Sequence, residues 1–316
     1  MSRRARALCA ALVLAGLPRP SRAEPGLTAA AFLQRTVGAR SAGMGSAFAA
    51  VPGSMDSLQY NPAGLATLHK GSLSSTYING FGGTDLGSVA YGHPFRWGTL
   101  AAGALYYNAG AIDLNLSDGT RGRVTAEEDM AWTLSYAATP IPRLDVGATY
   151  RFLRMELAET ARATSSQGDF GAIWRTPLGG LSLGAAYQYL GPDIRFEDAG
   201  DPPPKTFRYG ASYRFPALDP SRVDPSVDLQ AFDMTLAADM VQTLHEKASP
   251  RAGAEFGLQP ALMTRAALRF GWVFGRDAES FSFGVGLRQG RFSLDYAFGG
   301  TRALGNLQQV TLGFSF

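Results

Sequence analysis

An alternation of apolar with small or polar residues, at a period of two, recurs from about residue 71 to the terminal Phe316 and constrains the fold more than any other feature. Period two belongs to a strand whose two faces meet different surroundings. The end of the chain shows it best. Phe281, Phe283, Val285 and Leu287 interleave with Ser282, Gly284, Gly286 and Arg288. After a tight turn at Gly290, Phe292, Leu294, Tyr296 and Phe298 resume against Arg291, Ser293, Asp295 and Ala297. The last segment sets Val310, Leu312, Phe314 and Phe316 against Gln309, Thr311, Gly313 and Ser315. Earlier segments agree, with Leu144, Val146, Ala148, Tyr150 and Phe152 opposite Asp145, Gly147, Thr149 and Arg151.

A soluble sandwich alternates too, but its polar face carries many Lys and Glu and its strands are short. Here the second face is mostly Gly, Ala, Ser and Thr with scattered charges, and the segments run to about ten residues or more, the length a tilted membrane strand needs. A charged fraction of 17% is low for a soluble protein. The pattern predicts an all-β fold, a transmembrane antiparallel β-barrel with its apolar face to lipid and its polar face to the lumen. Gly271 then falls on the lumen face, where a serine should be mild, and Leu268 on the lipid face.

The segments number about fourteen, at 71–80, 85–94, 98–108, 127–138, 143–157, 164–176, 180–190, 204–216, 226–241, 248–258, 263–275, 279–289, 290–299 and 305–316, an even number as bacterial barrels require. Connections such as 139–143, 176–180 and 259–262 are short, while 109–126 and 191–205 are long. Short turns facing the periplasm and long loops facing outward would place both barrel termini on the inner side.

Ahead of the strands, Arg3, Arg4 and Arg6 precede an apolar run from Ala7 to Leu17, followed by the small residues Ser21 and Ala23. Residues 1–23 are therefore expected to be a cleaved signal peptide, too short and too quickly followed by Pro18 and Pro20 for a membrane-spanning helix. Cys9 is the single cysteine and lies inside it, so no disulfide or thiol chemistry is expected beyond. The leader holds five arginines and no acid, so 29 basic and 26 acidic residues become 24 and 26, a balance of −2. Nothing in that balance suggests nucleic acid as a partner.

Residues 24–70 remain as a separate segment before the 71–316 barrel. Side chains fill an eight-stranded barrel, whereas about fourteen strands leave a wider lumen that conducts water unless something plugs it. Asn61 suits the cap of a short helix whose first position is Pro62, where a missing N–H costs nothing. Gly43, Gly45, Ala47, Ala49 and Ala50 let backbone approach a wall closely. A short helical plug is expected, held by that cap and by small-residue packing, hence moderately anchored.

"GARSAGMGSAFAAV" from Gly38 followed by "YNPAGLA" from Tyr60 resembles the N-terminal signature of the PorV/PorQ family, whose barrels are similar to the FadL type of outer-membrane fatty-acid transporter. The resemblance implies a hatch role for Asn61, Pro62 and Ala63. It also implies a gated conduit or binding site for hydrophobic small molecules in the outer membrane or, alternatively, a PorV-like scaffold that binds secreted cargo of the type IX secretion system. Phe314 and Phe316 resemble the signal by which the outer-membrane assembly machinery recognises such barrels, with lipid as the surrounding partner.

Other motifs are weaker. Gly180, Ser182 and Gly184 fit G-x-S-x-G, but hydrolase chemistry needs a strand-to-helix turn and this serine sits in an alternating strand. His69, His93 and His245 lack ligand spacing, so no metal, cofactor or enzymatic role is expected. Arg151, Arg175, Arg208, Arg214, Arg265, Arg269 and Arg288 on the lumen face are expected to pair with Asp145, Asp169, Asp233, Asp239, Glu255 and Asp295 or with the plug, a substrate path being the sharper alternative.

Overall fold

The computed structural model describes residues 28–80, 83–115, 121–217, 231–261, 263–275, 281–300 and 306–316. The expected leader, and parts of the segments placed at 226–241, 279–289 and 305–316, lie outside them. Fourteen strands close into one antiparallel barrel. They are β1 Ser72–Asn79, β2 Asp85–Phe95, β3 Gly98–Asn108, β6 Glu127–Ile141, β7 Leu144–Leu157, β8 Ala161–Arg175, β9 Leu181–Leu190, β12 Thr206–Arg214, β13 Ala231–Thr243, β14 Ser249–Ala261, β15 Thr264–Val273, β16 Phe281–Gln289, β17 Phe292–Gly300 and β18 Asn306–Ser315. The expected long loops are instead small ribbons, β4 Ala111–Asn115 with β5 Arg121–Thr125 and β10 Ile194–Arg195 with β11 Gly200–Asp201. β1 pairs with β18 from Ser72↔Ser315 to Asn79↔Gln308, so no strand edge is left open. Closure is what lets strands live in hydrocarbon, because every ladder N–H and C=O finds a partner.

The two faces separate as the alternation predicts. Leu134, Tyr136, Tyr150, Phe152, Phe170, Leu268, Phe270 and Trp272 are exposed on the outside, while Thr133, Ser135, Thr149, Arg151, Gln167, Asp169 and Glu255 are buried within. The core is thus the lumen. Ser182 is one of its buried residues, seated in β9 with no helix following it. Both barrel termini and the tight turns of the β6–β7 and β16–β17 pairs lie at one end, here the turn end; the two ribbons lie at the other, the loop end.

Candidate functional site

The segment from residue 28 to residue 70 threads the lumen as a chain of short turns: 3-10 turns at Ala31–Gln34 and Pro62–Thr67, and single α-turns at Ala39–Gly43 and Ser57–Tyr60. Asn61 caps the second 3-10 turn as expected, its side-chain oxygen accepting from the Ala63 N–H at 3.1 Å with Pro62 in the first position. It does more than cap. Its amide Nδ2 donates to the carbonyl oxygens of Ala49 at 2.6 Å, Ala172 at 3.2 Å and Ala185 at 3.3 Å, tying two turns of the plug to β8 and β9.

Gly43 and Gly45 lie where backbone meets wall. A Cβ on Gly43 would stand 3.0 Å from the Gly284 Cα, and one on Gly45, whose φ is +63°, 2.8 Å from the Trp272 N. The wall answers with its own glycine. A Cβ on Gly271 would overlap the Gly45 N and the Met44 carbonyl carbon. The expectation that a serine at Gly271 is mild is therefore corrected: the lumen face there is occupied by plug backbone, so any side chain has to displace it.

The plug is also far better anchored than one cap and small-residue packing would make it. The Asp239 carboxylate accepts from the Phe48 and Ala49 N–H groups, both at 2.7 Å. Arg208 donates to the Ser46 carbonyl at 2.9 Å, Ser212 to the Ala50 carbonyl at 2.7 Å and Gln188 to the Gln59 carbonyl at 2.9 Å. On the opposite wall, Gln309 donates to the Thr36 carbonyl and Ala39 N–H to the Thr311 hydroxyl, both at 2.9 Å. Arg40 grips the Glu255 carboxylate with both arms of its guanidinium, at 2.8 and 2.9 Å. Sequence reasoning expected lumen charges to meet the plug but could not say which plug groups they hold, because each anchor pairs residues separated by more than a hundred positions. Burial opposes the charge on Arg40, yet Glu255 outweighs it and holds the guanidinium pKa above its ordinary value. Within the plug, burial raises the Asp56 carboxyl, against the bond it accepts from the Ser41 N–H at 2.9 Å.

The plug divides the lumen into unlike halves. Toward the loop end the wall turns apolar: Ile78, Leu86, Leu105, Tyr107, Leu153 and Met155 are buried around Phe32, Leu33 and Val37 of the plug, with Phe32 stacked on Tyr107 at 6.1 Å. A signal for this exists in the sequence, since the polar series Asp145, Gly147, Thr149, Arg151 continues into Leu153 and Met155 without changing face. Toward the turn end lies a charged vestibule of about 590 Å³ beneath Arg40. There Glu255 also takes Arg269 at 2.6 Å and Arg265 at 3.1 Å; Arg265 reaches Asp233 at 2.6 Å and Arg269 reaches Asp295 at 2.7 Å. Arg151 and Asp169 pair at 3.1 Å with both side chains fully buried. Most of the lumen charges thus pair with one another or with the plug as expected, but Arg214 and Arg288 make no ion pair among the described residues, because the carboxylates beside them are taken by Arg40, Arg265 and Arg269. At the chain end, Phe314 packs edge-on against Phe316 at 4.9 Å, and the Phe316 N–H donates to the Gly71 carbonyl at 2.9 Å.

No family model matches the chain, and no curated protein matches it in sequence. Solved structures do match. The toluene transporter TbuX of Ralstonia pickettii superposes with a TM-score of 0.52 at 14% identity, over 89% of this chain and 97% of its own. The P. putida toluene transporter TodX gives 0.55 at 11% identity over 89% and 98%, and the monoaromatic hydrocarbon channel CymD 0.54 at 14% over 89% and 97%. The likeness is one of fold. It agrees with the FadL-like barrel architecture, while PorV/PorQ membership has the motif residues alone behind it.

Proposed function

We propose that this chain is an outer-membrane barrel whose plug gates a conduit for hydrophobic small molecules. The observation that carries the reading is the apolar half of the lumen. A water-filled pore has no use for Ile78, Leu86, Leu105, Leu153 and Met155 on its inner wall, because an apolar surface facing water is disfavoured by roughly 25 cal/mol per Å². A chamber that takes up apolar guests needs that surface, and here Phe32, Leu33 and Val37 of the plug occupy it in the guest's place. Three barrels of like fold are described as toluene transporters or a monoaromatic hydrocarbon channel, which makes small aromatic hydrocarbons the first substrates to try.

In this reading the turn end faces the periplasm, residues 1–23 are removed on export, and Phe314 and Phe316 present the last strand to the assembly machinery. Asn61, Pro62 and Ala63, with Gly43 and Gly45, form the part of the plug that must shift for passage. The role is transport rather than catalysis. A PorV-like cargo scaffold has only the N-terminal motif in its favour.

The test is uptake of radiolabelled toluene, and of a long-chain hydrocarbon, by Gram-negative cells lacking other barrels of this kind. Cells carrying the folded protein should outpace empty-vector cells, and removal of residues 40–66 should add ion conductance in planar bilayers that the intact chain lacks. Uptake at the empty-vector level with the folded barrel in the outer membrane overturns the conduit. Recovery of secreted proteins in pull-downs under those conditions would put the scaffold in its place.

A further inference from the structure

Among the described residues, the vestibule at the turn end is lined by more positive charge than the carboxylates there pair. Arg40, Arg175, Arg214, Arg265, Arg269 and Arg288 line it. Their carboxylate partners are Asp233, Glu255 and Asp295 in the lining and Asp145, which takes Arg175 at 2.8 Å. Six guanidinium groups less four carboxylates leave two positive charges, and they sit on Arg214 and Arg288, which make no ion pair among the described residues. Deeper in the lumen Arg151 is matched by Asp169 and Arg208 by Asp239 at 3.7 Å.

Arg214 and Arg288 share one cavity lining with four paired cations, Arg40 and Arg265 among them, and like charges gathered there raise the potential of the cavity. Low-dielectric walls focus that field into the cavity. Arg214 and Arg288, at the turn-end tips of β12 and β16, are themselves solvent-exposed at the mouth of the vestibule, while the barrel wall and the plug bound the cavity behind them. Arginine offers a planar fork matched to the oxygens of carboxylate and phosphate. A cavity of about 590 Å³ has room for a small organic acid or phosphate ester together with its water.

We infer that the turn-end vestibule is a binding site for a small dianion, a phosphate or a dicarboxylate, held by Arg214 and Arg288. The site lies on the opposite side of the plug from the apolar chamber and is independent of what that chamber carries. The dianion arrives from the aqueous compartment at the turn end or as a lipid headgroup, and the two sources are separable by experiment.

The test uses the full-length protein in detergent and the arginine reagent phenylglyoxal, read residue by residue by mass spectrometry. Inorganic phosphate or succinate, compared with chloride at equal ionic strength, should slow modification of Arg214 and Arg288 by about tenfold or more while leaving Arg154, exposed on the outer face, unchanged. Protection by dihexanoylphosphatidic acid but not by phosphate or succinate would assign the same chemistry to a headgroup. The double variant Arg214→Gln/Arg288→Gln should abolish saturable phosphate binding in calorimetry; if it does not assemble, protection in the wild-type chain decides. Equal modification in phosphate, succinate, phosphatidic acid and chloride, or parallel slowing at Arg154, overturns the inference.

Discussion

Replacing Gly271 by alanine adds one carbon atom at the place where wall and plug backbones touch. That carbon would overlap the Gly45 N and the Met44 carbonyl carbon, so one backbone has to move. The wall is bonded into its ladder on both sides, Gly271 facing Gly253 in β14 and Ser282 in β16. The plug is held there by weaker means, chiefly the bond from the Gly45 N–H to the Ser282 hydroxyl at 3.0 Å. The plug therefore yields. Overpacking of this kind costs about 1–3 kcal/mol, which includes loss of that bond. Because the plug opens as a unit smaller than the whole barrel, the cost is read in the hydrogen exchange of plug amides such as Phe48 and Ala49, which should quicken by about 5- to 150-fold. Gly87→Ala is the control, since a Cβ there meets nothing within 4 Å. Exchange in Gly271→Ala indistinguishable from that control would refute the claim that wall glycines are seats for the plug.

Leu268→Arg puts a charge mid-strand on the lipid face, where the leucine is 44% exposed, and should cost roughly 2–4 kcal/mol, seen as a lower folded, heat-modifiable fraction in membranes. Arg40→Met removes the plug's bidentate grip but leaves Glu255 its bonds to Arg265 and Arg269, so about 1.5–3 kcal/mol of plug stability should go and the barrel should stay folded; Arg40→Lys, lacking the fork, should restore only part, as measured by protease protection of the plug. Burial raises the Asp56 pKa in the folded chain above the ordinary carboxyl value of 3.8, so its contribution to stability is full below that value and is lost as pH rises through the raised one; protection of the plug should fall over that window in the wild type and flatten in Asp56→Asn.

The strands were legible because a membrane barrel is written twice, once in the lipid face and once in the lumen face, and the register of one fixes the other. Tyr150 and Phe152 outside demand Thr149 and Arg151 inside, and the structure has them so. The capping role of Asn61 was legible for a local reason, since cap and Pro62 are neighbours in sequence. The bonds of its amide to Ala172 and Ala185 were not, because nothing near position 61 records what lies across the lumen. The tolerance expected of Gly271 failed for the same reason: small residues on a lumen face look like unfilled space in sequence, whereas here they mark the places already filled. The division of the lumen was half legible, in the run from Arg151 to Leu153 and Met155.

One hydroxyl joins three parts of the molecule that are far apart along the chain. Thr311 of the last strand shares a hydrogen bond with Thr76 of the first at 2.8 Å and accepts the Ala39 N–H of the plug at 2.9 Å. The β1–β18 seam that makes the cylinder continuous is therefore also a point at which the cylinder is fastened to the segment it surrounds. Thr311 works like a rivet through three plates, so that loosening the seam and loosening the plug are not separate events at this position.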